Sequence, residues 1–338
     1  MTMGSGVSRV VSAEAPFRHT SVMAAEVVDI FRPVPGGVII DANVGGGGHA
    51  AAVLGAHGGL RLIGLDRDAD AITAAEARLA PFGARVSLHH RAFDELSAVV
   101  EAEGHGDDVS GVLFDLGISS PQVDRPDRGF SFHEEGPLDM RFDRSSGRTA
   151  ADIVNGWDQD EIEHLLRQNA DERHARSIAR AIVEARPLRT TLELVEVIGA
   201  AVPAAYRRRG HPARRTFQAL RMAVNDEVGQ LRSALVQAIT VLGAGGRLAV
   251  LSYHSGEDRI VKETMREAAT GGCACPPGLP CACGASPSIR LLRPLTRTPN
   301  EAELADNPRA RSARLRSAEK LAGPRPTPST TTTTGARR

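Results

Sequence analysis

Apolar residues fall in short blocks along the first third of the chain. Val38-Ile39-Ile40, Leu62-Ile63-Gly64-Leu65 and Val112-Leu113-Phe114 each close on an aspartate: Asp41, Asp66 and Asp115. Blocks this short read as buried strands, and the Ala-, Leu- and Glu-rich stretches between them read as helices. The pattern predicts strands over Val38–Asp41, Arg61–Asp66, Arg85–His90 and Val109–Asp115. Helices are expected over Gly48–Gly55, Ala69–Ala80 and Phe93–Glu103. Strands alternating with helices imply a parallel sheet covered on both faces, with ligands taken up at the carboxyl edge.

The rhythm then changes. Gln122 to Asp143 is rich in Gly, Pro, Asp and Arg and reads as a loop. From Thr149 to about Glu227 the spacing is helical, as with Ile162, Leu165, Leu166, Ile178 and Ile182. Thr190 with Glu193 three residues on marks one helix start. A strand resumes over Gly245–Tyr253, followed by a helix over Glu257–Ala269 and closing strands over Ser288–Arg293 and Ser312–Ala318. The expected organisation is a disordered start (1–16), a discontinuous α/β domain (17–124 and 226–320), an inserted all-helical domain (125–225) and a disordered Pro/Thr-rich tail (321–338).

The chemistry concentrates at the first strand's end. Asp41-Ala42-Asn43-Val44-Gly45-Gly46-Gly47-Gly48-His49 is a glycine turn entered from a carboxylate, and Asp66 ends the next strand where an acid can hold a ribose diol. Gly45-x-Gly47-x-x-Ala50 also fits the loose dinucleotide fingerprint. Asp41 argues against a pyrophosphate there, because it sets a negative charge before the turn that would cradle it. S-adenosylmethionine carries an ammonium and a sulfonium and no phosphate, so an acid beside the turn suits it. By itself, Asp41 also reads as a turn acid.

Charge and composition narrow the partners. The formal net charge is zero, so any nucleic-acid surface must be local. Two candidates stand out. One is Arg207, Arg208, Arg209, His211, Arg214 and Arg215 with Arg221; the other is Arg309, Arg311, Arg314 and Arg316. No apolar run approaches the ~20 residues of a membrane span, and no secretory signal is visible. The only cysteines are Cys273, Cys275, Cys281 and Cys283, which argues against a disulfide-built fold and suits a reducing cytoplasm. Four thiols in this space could wrap one zinc ion, but one residue within each pair, where two is usual, favours a loop without metal.

Several segments together resemble the RsmH (MraW) family of bacterial ribosomal RNA methyltransferases. They include His19-Thr20-Ser21-Val22; Asp41 to His49; Leu65-Asp66-Arg67-Asp68; Asp115 to Gln122; Arg128-Gly129-Phe130-Ser131-Phe132; Gly136 to Arg141; His211 to Arg221; Asn225-Asp226-Glu227; Ser252-Tyr253-His254-Ser255; and Asn307 to Ser312. They run in the family's order from His19 to Lys320. The resemblance implies a Rossmann-like class I fold and methyl transfer from S-adenosyl-L-methionine to the exocyclic N4 amine of one cytosine in 16S rRNA of the small ribosomal subunit. It also implies that Gly47, Gly48 and His49 contact the methionine end of the donor, Asp66 the ribose and Phe93 the adenine, with Asp115 and Gln122 completing the pocket. Cysteine-rich versions of the 273–283 segment occur in the family.

Cytosine N4 is a poor nucleophile, so the site must orient its lone pair and receive a proton. Candidates are Asp115, Ser119 and Ser120 on the segment after the fourth strand, Asp139 on a loop near the site, and His254 after the fifth. The chain departs from the family at Asn43, where Thr is usual, at Gly256, where Leu is usual, and at Asn169-Ala170, where Tyr-Gly is usual. Asn43 and Gly256 frame a rival reading, a ribosome-associated RNA-binding or assembly protein that keeps the pocket without efficient turnover. A third reading is a methyltransferase of DNA bases. Nothing in the sequence sets the oligomeric state, and a homodimer is compatible with it.

Overall fold

The computed structural model describes residues 21–106, 108–208, 210–276 and 282–322. The expectations of disorder at 1–16 and from 323 onward concern residues outside that set, as does His19.

Seven strands form one sheet: β1 (Gly37–Asp41), β2 (Leu60–Asp66), β3 (Val86–His90), β4 (Val109–Asp115), β5 (Leu242–Ser252), β6 (Ile289–Leu291) and β7 (Arg314–Lys320). Their order is β3-β2-β1-β4-β5-β7-β6. All neighbours from β3 to β5 run parallel, and β7 runs antiparallel between β5 and β6. The chain leaves β1 toward β2 on one side and later returns to place β4 on the other. That reversal opens a crevice beyond the carboxyl ends of β1 and β4.

Alternation along each strand builds a core on either face. Val38, Ile40, Ile63, Leu65, Val112, Phe114, Leu248 and Val250 point one way, into a core completed by the Leu96–Ala102 and Glu227–Val241 helices. Ile39, Leu62, Leu113, Ala249 and Leu251 point the other way, onto the Ala24–Phe31 and Gly48–Ala56 helices. The Ala24–Phe31 helix was not anticipated. It buries Val27, Ile30 and Phe31, and Phe31 lies so close to Gly111 that a Cβ there would stand 2.8 Å from the ring.

The expected Phe93–Glu103 helix is two pieces, a 3-10 turn at Phe93–Glu95 and an α-helix at Leu96–Ala102. β5 starts three residues before the expected Gly245, with a register shift opposite Val109 and Gly111. The expected strand at Ser312 is β7 from Arg314, preceded by a 3-10 turn at Pro308–Ser312.

Residues 130–220 enclose a core of their own, from Phe130, Leu138 and Met140 to Phe217 and Leu220. Its helices start where the sequence suggests: Thr149 caps Ala150–Gly156, and Thr190 caps Thr191–Ala201 with Glu193 reciprocating. Buried polar contacts join this core to the sheet. The Arg128 guanidinium donates to Asp68 at 2.8 Å and to the carbonyl of Phe142 at 2.9 Å, and Asn225 donates to Met140 O and accepts from Phe142 N, each at 2.8 Å.

Candidate active site

The crevice is a cleft of about 600 Å³ whose walls come from both parts of the molecule. Its floor is the turn after β1. Gly45 (φ +51°) and Gly47 (φ +73°) take left-handed backbone that few other residues adopt, and a Cβ on Gly46 would meet nothing within 4 Å. The turn is tied to β2 through Asp66, whose carboxylate accepts from Gly45 N and from Asp68 N, each at 2.9 Å. At Gly46, bare backbone thus faces open space between two acidic strand ends.

Electrostatics make this floor receptive to a cation. Asp41 is 2% exposed. Burial pushes its carboxyl up to about 7, His49 pulls it back, and Asp115 and Asp66 push it further. Burial also raises Asp66, to about 6, although three backbone amides oppose the rise. Burial works against charge on His49, but Asp115 and Asp41 outweigh it and raise the imidazole. His49 Nε2 stands 3.5 Å from Asp115 without hydrogen-bond geometry, so that contact is an ion pair when the ring is protonated. Asn43 Oδ1 and both His49 ring nitrogens are buried on the cleft wall with no hydrogen-bond partner among the described residues. Orphaned polar atoms are costly in a finished core but suit a site that completes itself on binding.

At the other end, Asp115 Oδ1 accepts from the Tyr253 hydroxyl at 2.7 Å. Burial first, then Asp115, raises that phenol well above its usual range, so it stays a donor. Tyr253 is a residue that role-by-role reading of the sequence missed, although it lies in the quoted Ser252-Tyr253-His254-Ser255 segment. His254 caps the Ser255–Thr270 helix through Glu257 N. Its Nε2 lies 3.0 Å from Glu257 but off the hydrogen-bonding direction, and it lines the cleft. A Cβ on Gly256 would stand 3.1 Å from the His254 ring, so glycine there leaves the imidazole room.

The cleft collects Asp41's neighbours Asn43 and Gly45, together with Gly48, His49, Asp66, Phe93, Asp115, Ser119, Gln122 and His254. Phe93 packs edge-on to Phe114, with centroids 6.1 Å apart, and presents an apolar wall. Gln122 lines the cleft with its amide already engaged: it donates to Asp68 at 2.8 Å and accepts from Ser119 N at 3.0 Å.

Four expectations are corrected. Asp41 and Gly47 do not line the cleft: Asp41 is buried behind the turn, accepting from Asn43 N at 3.3 Å, and Gly47 packs on Leu79, where a Cβ would stand 3.0 Å from the side chain. Asp139 is not on the cleft wall. Its carboxylate is held bidentate by Arg141 at 2.8 and 3.0 Å, which overcomes its burial and lowers its pKa, the reverse of what a proton acceptor needs. Arg221 is not part of an outer basic surface: it is buried inside the cleft wall and forked onto Glu227 at 2.7 and 2.8 Å. The side chain of Ser120 and the whole of Arg209 lie outside the described residues.

Of the remaining basic candidates, Arg208 and Arg214 are exposed, and Arg215 donates to Asp171 O at 2.7 Å. His211 stacks on Phe132 with centroids 4.5 Å apart, and burial, His133 and Arg214 lower its pKa, so it serves as a neutral ring more than as a cation. In the second cluster, Arg314 and Arg316 are paired with Asp258 and Arg309 with Asp124 at 2.9 Å, while Arg311 is exposed.

A seven-stranded sheet in this order, with β7 reversed and a bare glycine turn at the switch point, defines a class I methyltransferase fold. The MraW methylase family matches residues 16–321, and the chain belongs to that family. It is 50% identical over 315 residues to the ribosomal RNA small subunit methyltransferase H of Symbiobacterium thermophilum, covering 90% of this chain and 97% of that one. It is also 50% identical over 316 residues to the protein of the same name from Pelobacter propionicus, covering 91% and 100%. Among solved structures, an rRNA methylase from Streptococcus thermophilus aligns over 88% of this chain and 95% of its own, at 12% identity and a TM-score of 0.40.

Proposed function

We propose that this protein transfers a methyl group from S-adenosylmethionine to the exocyclic N4 amine of a cytosine in 16S ribosomal RNA, acting in the cytoplasm on the small subunit or its precursor. The observation that carries the reading is the acid-flanked glycine turn, with Asn43 Oδ1 buried and unsatisfied beside it.

The donor supplies a methyl already activated on a sulfonium. The protein's task is therefore alignment and a place for one proton. Asn43 receives the ammonium of the methionine end beside the bare turn, with Asp41 buried behind it as a source of negative charge. Asp66 retains acceptor lone pairs toward the cleft for a ribose diol. Phe93 offers its face to the adenine. On the acceptor side, Asp115 is held by Tyr253 and orients the amine by accepting one of its N–H bonds, which turns the nitrogen lone pair toward the methyl. The proton released on bond formation passes to Asp115 or His254, both on the cleft wall.

The target base must leave its stack to enter. Arg208, Arg214, Arg215 and Arg311 serve as phosphate contacts, and the Phe132–His211 pair serves as a stacking surface for a neighbouring base. The helical core over 130–220 is the RNA-recognition unit in this reading. Of the three departures from the family, the two near the cleft, Asn43 and Gly256, keep the site workable. Asn43 preserves a polar acceptor on the turn, and Gly256 leaves His254 its place.

The test is nucleoside mass spectrometry of small-subunit RNA from cells with and without the gene. N4-methylated cytidine is expected to disappear on deletion, to return with the wild-type gene, and to stay absent with Asp115→Asn. Methylated cytidine unchanged by deletion would overturn the proposal.

A further inference from the structure

The segment joining the Ser255–Thr270 helix to β6 is stapled at its base. Gly271 ends the helix in a left-handed turn (φ +63°), where a Cβ would stand 2.5 Å from the Ser286 backbone. Ser288 N donates to Ala268 O at 2.9 Å, and Cys273 N donates to Thr270 O at 3.2 Å. The chain therefore leaves and re-enters at nearly the same point. Within this excursion the sulfurs of Cys273, Cys275 and Cys283 all lie within 4.8 Å of one another. The backbone N–H groups of Ala282 and Cys283 also donate to the Cys275 sulfur.

We propose that Cys273, Cys275 and Cys283 are ligands of a structural zinc ion that clasps this loop. Tetrahedral zinc with Zn–S bonds of about 2.3 Å places its sulfurs about 3.8 Å apart, inside the spread found here. Amide donation to a sulfur is the outer-shell support that metal-bound thiolates receive. An all-sulfur donor set favours zinc over hard cations such as magnesium or calcium. The single-residue spacing of Cys273 and Cys275 favours a metal-free loop; the return of Cys283 onto the pair is the observation that favours a bound ion instead. The three described thiolates fill three of the four positions. The site lies past the C-terminal end of the Ser255–Thr270 helix, the end opposite His254, and its role is to fix the connection into β6, next to β7 on the sheet's antiparallel side.

The full chain, expressed in zinc-supplemented medium and purified without chelator under reductant, is expected to carry about one zinc per chain by plasma mass spectrometry. Titration with an organomercurial should release that zinc in step with thiol modification. Cys273→Ser combined with Cys283→Ser should lower the zinc content at least tenfold while leaving the circular dichroism spectrum and adenosylhomocysteine binding intact. Cobalt reconstitution gives a second readout, thiolate-to-metal charge-transfer absorption that is lost in the same variant. Three results would each overturn the proposal: a wild-type protein whose reduced thiols carry no zinc, zinc retained by the variant with all three cysteines replaced by serine, or a disulfide among these cysteines in protein purified under reductant.

Discussion

Replacing Asp41 with asparagine should move stability and donor binding in opposite directions. Asp41 ends β1 almost fully buried, and its pKa rises from 3.8 to about 7. A carboxyl raised in the folded state destabilises that state wherever it must be ionised. The effect is absent below the unfolded value near 4, grows as pH rises, and is complete above about 7. A rise of this size corresponds to about 4 kcal/mol at pH 8. Asparagine keeps an acceptor for Asn43 N, which Asp41 engages at 3.3 Å, and removes the ionisation. Asp41→Asn should therefore gain about 2–4 kcal/mol at pH 8, about a third of that at pH 5, and nothing near pH 4. Losing the buried negative charge behind the turn should weaken adenosylhomocysteine by about 10-fold at pH 8. Urea unfolding across pH and calorimetric titration read the two effects separately. A variant less stable than wild type at pH 8 would refute the electrostatic argument. A stabilised variant that binds donor normally would refute the role given to Asp41.

Asp66, raised to about 6, should lose its acceptor role for the ribose as it protonates, so donor affinity should fall as pH drops through about 6; a pH-independent affinity from 5 to 8 would contradict this. Arg128→Met should cost about 3–5 kcal/mol in urea unfolding, since Arg128 and Asp68 are 3% and 6% exposed and Asp68 would be left buried with a broken pair. Gly129→Ala should cost more than the ~1–2 kcal/mol of left-handed backbone alone, because φ is +75° and the new Cβ would stand 2.1 Å from Pro137 O; unchanged stability would show the loop can move aside. Arg208→Ala with Arg214→Ala should reduce the log–log salt slope of RNA binding by about 1.4 if each arginine meets one phosphate of a single strand.

Local pattern made much of the candidate site legible. The acids that matter stand at strand ends, and strand ends are visible as the last residue of an apolar block, as at Asp41, Asp66 and Asp115. Helix starts with a reciprocal cap, such as Thr190 with Glu193, are equally local. Arg221 and Asp139 misled because their charges suggested solvent or catalysis. What decides them is a partner brought round by the local turn, Glu227 six residues on in one case and Arg141 two residues on in the other.

The sequence by itself determined the alternation of strands and helices, the glycine turn, and the family. These follow from periodicity and short-range chemistry, which need no knowledge of what packs against what. Only the tertiary structure decided that Tyr253 holds Asp115 across 138 residues, that Gln122 and Arg128 converge on Asp68, and that Cys283 returns to Cys273 and Cys275. Such contacts depend on where the sheet order and the chain's return paths bring distant segments together. A linear pattern does not encode that distance, because every hydrogen bond or ion pair acts over a few ångströms of space, whatever the length of chain between its ends.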